Sequence, residues 1–83
     1  MNNSNLRARS VTNYDKIIGK KIHDYRQSKS ISQIEVSKKL RISQQQYAKY
    51  ENGVNRISVG RLWELSEFYG WTGDVLLDIL SPV

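Results

Sequence analysis

One short phrase occurs twice, eleven positions apart: Ile31-Ser32-Gln33-Ile34-Glu35-Val36 and Ile42-Ser43-Gln44-Gln45-Gln46-Tyr47. In each copy the Ser hydroxyl can accept from the amide three residues on, and the Glu35 or Gln46 at that position can reach back to the Ser amide. The flanking pairs, Ile31 with Val36 and Ile42 with Tyr47, can close over the turn as hydrophobic staples. Each phrase therefore predicts a helix start. The first helix has only residues 33 to 40 before the second begins, which leaves Arg41, Ile42 and Ser43 to join them. Two helices joined by so short a turn form a helix-turn-helix.

The second helix of the pair has two faces. Tyr47, Tyr50 and Glu51 recur at 3-4 spacing and are predicted to point inward, while Gln44, Gln45, Ala48, Lys49 and Asn52 fall on the other side. No acidic residue lies on that outer side. Amides at a helix N-terminus with a Lys one turn later suit base edges: Gln can bond adenine bidentately in the major groove, and an Ala methyl can touch thymine. A Gln run on an arbitrary surface helix is merely solvated; after a short helix and a tight turn it reads as a recognition helix.

The remaining residues build around this pair. Residues 1 to 12, polar and carrying Arg7 and Arg9, are expected to form a flexible basic arm able to lie along a nucleic-acid backbone or minor groove. A first helix starts at Thr12 or Asn13 with Asp15 in its first turn, buries Tyr14, Ile17 or Ile18, Ile22 and Tyr25, and ends at Ser28-Lys29-Ser30. His23, the only histidine, has no partner at metal-ligand spacing and is expected at the surface. Asn52-Gly53 closes the third helix, and Ile57-Ser58 repeats the staple and cap ahead of a fourth that buries Leu62, Leu65 and Phe68 or Tyr69 and stops at Gly70. Thr72 caps a fifth that runs to about Leu80, with Pro82 beyond. The expectation is an all-α fold, a compact five-helix bundle over residues 13–83.

Charge divides the chain. All thirteen Lys and Arg lie at or before Arg61 against four acids, a balance of +9, and four acids without a base follow, leaving the net +5. The basic part suits a polyanion, and its coincidence with a helix-turn-helix points to nucleic acid. Val75, Leu76, Leu77, Ile79 and Leu80 are too many apolar residues for one stripe. Trp63, Trp71, Leu76, Ile79 and Leu80 are therefore expected to form a contact between two copies on the side away from the charge.

Other functions find little support. There is no Cys, no Gly-rich phosphate loop, no metal cluster and no Ser/His/Asp set, so no enzyme, cofactor, metal or small-molecule ligand is expected. No apolar stretch is long enough to span a membrane and no signal peptide is evident, so the expected location is the cytoplasm.

Residues 14 to 80 resemble the Xre family, the phage repressor and Cro type of helix-turn-helix regulator. The matching stretches are Ile18-Gly19-Lys20-Lys21-Ile22 with Arg26, Ser32-Gln33 with Val36 and Leu40, Ser43-Gln44-Gln45-Gln46-Tyr47, Tyr50-Glu51-Asn52-Gly53, and Asn55-Arg56-Ile57-Ser58 leading to Leu62 and Leu65. The resemblance implies a repressor-like bundle and a homodimeric transcriptional regulator that binds double-stranded DNA. It assigns Gln44, Gln45, Ala48 and Lys49 to base edges and Gln33, Ser43, Asn52, Asn55 and Arg56 to phosphates, and it pairs Arg26 with Glu51. Two alternatives are an antitoxin that autoregulates through the same surface and an adaptor that binds protein instead of DNA. Ser37 stands where the family usually has Ala, and Arg41 where it usually has Gly. A left-handed Arg41 would cost about 1 kcal/mol.

Overall fold

The computed structural model describes residues 12–82, and all regular structure among them is helical. The helices are α1 (Asn13–Ser28), α2 (Gln33–Leu40), α3 (Gln44–Glu51), α4 (Val59–Tyr69) and α5 (Gly73–Leu80). The expected arm lies outside the described residues except for Thr12, which belongs to α1 as its cap.

Each helix begins on a hydroxyl. Thr12, Ser32, Ser43, Ser58 and Thr72 accept from the amides of Asp15, Glu35, Gln46, Arg61 and Val75. The reciprocal bond forms at Asp15 and Glu35, which return to the backbone of Thr12 and Ser32. At α3 only the forward bond from the Gln46 amide to the Ser43 hydroxyl is present, so the return expected from Gln46 is corrected. Ile31, Ile42 and Ile57, the residues before three of these caps, pack against the core that holds Val36, Tyr47 and Leu62, as staples require.

Helix ends follow backbone geometry. Gly70 and Gly53 take the left-handed conformation, φ 67° and 71°. Arg41 takes it without the benefit of glycine, at φ 60° and ψ 42°, as its place at the end of α2 demands. Cations from distant helices meet other carbonyls that a helix C-terminus leaves unsatisfied. Arg61 Nη1 donates to the Leu40 carbonyl at 2.8 Å, and Lys21 Nζ donates to those of Asp78 and Ser81 at 2.7 Å each.

The core gathers Ile18, Ile22, Val36, Leu40, Tyr47, Leu62, Leu65, Trp71 and Ile79. The stripe expected on α1 holds for Ile18 and Ile22. Tyr14 departs from it, being 42% exposed, because its hydroxyl donates to the Leu80 carbonyl and so ties the start of α1 to the end of α5. Trp71 and Ile79 correct the expected contact between copies: at 9% and 3% exposure they belong to the core of a single chain. Trp71 stacks on Tyr69, with ring centroids 5.5 Å apart, and meets the edge of Tyr25 at 5.3 Å. This aromatic cluster closes the turn between α4 and α5 against α1.

Candidate nucleic-acid interface

The turn between α2 and α3 seats α3 on the core by Tyr47 and Glu51, both buried, and leaves Ser43, Gln44, Gln45, Lys49 and Asn52 exposed, with Ala48 half-buried. The outward face is therefore the one that the spacing predicts. Glu51, the only acid on α3, is turned inside, so no carboxylate opposes an approaching phosphate from this helix.

Glu51 is the hub of the site. Its Oε2 accepts from Arg26 Nε at 2.7 Å, and its Oε1 from Arg26 Nη2 at 3.1 Å and Gln33 Nε2 at 3.1 Å, with His23 Nδ1 2.8 Å away. Arg26 spends its other branch on the Ile31 carbonyl, at 2.7 Å. Burial alone would raise the Glu51 carboxyl, but the hydrogen bonds it accepts, Arg26 foremost, outweigh this and bring it down to about 2. The pair that the resemblance implies between Arg26 and Glu51 is thus present, and a fully satisfied ion pair can sit at 9% and 1% side-chain exposure.

From this hub order passes outward. Gln33 gives its amide N–H to Glu51 and accepts from Gln44 Nε2 at 3.3 Å, so the first residue of α2 and the first of α3 are joined above the buried pair. A long amide held in this way loses less rotamer freedom when it meets a ligand. Asn55 is half-buried in the loop after α3, and Arg56 is exposed beside it with Nε 3.1 Å from Asp15 Oδ1. Burial would raise the Asp15 carboxyl; bonds from the Thr12 amide and hydroxyl and from Arg56 more than offset this and hold it below the usual range.

Eight of the nine residues expected at nucleic acid thus lie along α3 and its flanking turns, and Gln33 joins them through Gln44. Of those expected between copies, Trp63 is exposed and Leu76 and Leu80 are half-buried around one apolar recess, whereas Trp71 and Ile79 are elsewhere. Two residues were missed. Asp15 was read only as a favourable charge in the first turn, yet it anchors Arg56. His23 was read as a solitary surface residue, yet it lies against Glu51; its signal was its place three residues before Arg26, on the same face of α1.

Among the described residues no group of His, Cys, Asp and Glu could hold a metal ion, and no helix is long and apolar enough to cross a membrane. Fold and surface together define a helix-turn-helix domain whose second helix is exposed along a polar, acid-free face. The chain belongs to the helix-turn-helix family, whose model matches residues 22–76. It is 40% identical over 57 residues to an uncharacterized HTH-type transcriptional regulator of Rickettsia conorii, covering 69% of this chain and 46% of that one. A counterpart from Rickettsia prowazekii is 39% identical over the same length, with 69% and 44% covered. One from Sinorhizobium fredii is 34% identical over 65 residues, with 78% and 46% covered. The matches thus span less than half the length of each of these relatives. No solved structure matches the chain.

Proposed function

We propose that this domain binds double-stranded DNA sequence-specifically as part of a transcriptional regulator, with repression as the mode. The helix α3 enters the major groove, Gln44, Gln45, Ala48 and Lys49 meet base edges, and Gln33, Ser43, Asn52, Asn55 and Arg56 hold phosphates on either side. The observation that carries this reading is the acid-free outer face of α3, whose leading Gln44 is held through Gln33 by the buried Glu51 and Arg26. Names of the relatives support the regulatory role, and the basic balance of the first sixty-one residues supports the polyanion. A cytoplasmic homodimer is part of the proposal. Its contact uses Trp63, Leu76 and Leu80, to which the exposed Val59 and Leu77 are added.

Base reading is tested by the specificity ratio. Selection from a random duplex pool supplies a preferred site, and Gln45→Ala is expected to cost about 1 to 3 kcal/mol on that site and little on mixed-sequence DNA. Equal losses on both would make Gln45 a backbone or structural residue.

A further inference from the structure

The imidazole of His23 leans on the carboxylate that also accepts from the Gln33 amide. Its Nδ1 lies 2.8 Å from Glu51 Oε1, the same oxygen that accepts from Gln33 Nε2 at 3.1 Å, and Gln33 in turn accepts from Gln44. A single oxygen therefore separates His23 from the first residue of α2. The His23 side chain is 37% exposed while the carboxylate beneath it is 1% exposed, so one edge of the ring is anchored and the rest reaches the surface. Among the described residues Nε2 makes no hydrogen bond.

We propose that His23 is a further DNA-backbone contact, which holds a phosphate oxygen through Nε2–H when the ring is protonated, so that DNA binding takes up a proton. The inference rests on the DNA-binding reading above. An ionised carboxylate only accepts, so Nδ1 carries hydrogen in both charge states and the second proton must go to Nε2. Neutral, the ring presents a lone pair at Nε2, which repels a phosphate oxygen. Protonated, it presents a donor and a positive charge.

The groups around the ring set this balance. Facing the ring are the carboxylate of Glu51 on α3, the guanidinium of Arg26 on α1, with Nη2 3.4 Å from Nδ1, and the neutral amide of Gln33 on α2. Behind them Tyr47 of α3 and Tyr69 of α4 are pushed up by burial and stay neutral. Glu51 and Asp15, both lowered, keep their charge throughout the neutral range. With cation and anion already set against each other, an arriving phosphate adds the negative charge that favours the protonated ring. The chain has one His and no Cys, so no other side chain ordinarily titrates between about pH 6 and 8.

The test uses the full chain and a labelled mixed-sequence duplex of about two helical turns, since a backbone contact needs no operator. Affinity is read by fluorescence anisotropy at fixed low salt from about pH 8 to about pH 6. The wild type is expected to tighten about three- to tenfold as the pH falls through this range. His23→Gln keeps an N–H for Glu51 but gains no charge, and its affinity should stay flat, with helicity by circular dichroism confirming the fold. Calorimetry of the wild type near neutral pH in two buffers of different ionisation enthalpy measures the proton uptake without any variant. Equal wild-type affinity across the range with no proton uptake overturns the proposal, as does a His23→Gln protein that keeps the wild-type pH dependence. Absence of salt-dependent binding at every pH would instead remove the DNA reading itself.

Discussion

Glu51 shows how a single buried carboxylate can hold a cation of the core and an amide nearer the surface together. Its side chain is 1% exposed, which without partners would be prohibitive, and Arg26, His23 and Gln33 supply them. Because its folded value, about 2, lies below its ordinary 4.5, the stabilisation is complete above pH 4.5 and is lost as pH falls toward 2. The displacement corresponds to about 3 kcal/mol. Asp15, also lowered, adds loss in the same direction. Denaturant midpoints at neutral pH and in acid should therefore differ strongly for the wild type and much less for Glu51→Gln. That variant starts lower, because leaving Arg26 buried and unpaired costs about 3 to 5 kcal/mol. Equal acid sensitivity in the two proteins would mean that Glu51 is not the group responsible.

Between helices the decisive contact is made by a residue without a side chain. A Cβ on Gly19 would lie 2.5 Å from the Tyr50 carbonyl oxygen and 2.6 Å from that of Glu51, so α1 and α3 touch backbone to backbone there. Helix propensity and packing then oppose each other. In an isolated helix Gly→Ala is worth about 1 kcal/mol of stability, whereas here the atoms in the way are main chain and only a shift of α3 can relieve them. Gly19→Ala is expected to destabilise by about 1 to 3 kcal/mol. Since the displaced helix is the one proposed to read bases, DNA affinity should fall more than the melting loss accounts for. A variant that melts higher than the wild type would show that the two helices do not meet at this point.

Across the whole molecule apolar residues divide between a core and a face. Ile79 is buried at 3%, while Leu77, two residues before it on α5, is 68% exposed. Val59, Trp63, Leu76 and Leu80 border an apolar recess between α4 and α5, helices that carry Glu64, Glu67, Asp74 and Asp78 and, after Arg61, no base. The proposed contact between copies makes a split prediction. Leu77→Arg should fold, with an unchanged melting temperature, and sediment as a monomer, whereas Ile79→Arg should not fold, because it places an unpaired charge in the core. A wild type that sediments as a monomer even with DNA bound would exclude the dimer.

Local chemistry determined the elements. Five hydroxyl caps, the staples at Ile31, Ile42 and Ile57, and the stops at Gly53 and Gly70 can each be read from neighbours within a few residues, as the interactions that make them span one turn of helix. The outer face of α3 was legible for the same reason, since 3-4 spacing sorts Tyr47 and Glu51 from Gln44, Gln45 and Lys49. The left-handed Arg41 was an expectation of the resemblance, which puts a glycine at that place, and the end of α2 does take that conformation there. Which apolar residues remain outside did not follow. Trp71, Ile79, Trp63 and Leu77 are alike in hydrophobicity, and only the docking of Tyr25 and Tyr69 around Trp71, and of α5 against α1, decides which are covered. His23, Asp15 and Tyr14 belong to the same category. Their partners Glu51, Arg56 and the Leu80 carbonyl lie 28, 41 and 66 positions away; the 3-residue spacing of His23 to Arg26 points toward the first, and for the other two only the packed helices supply the contact.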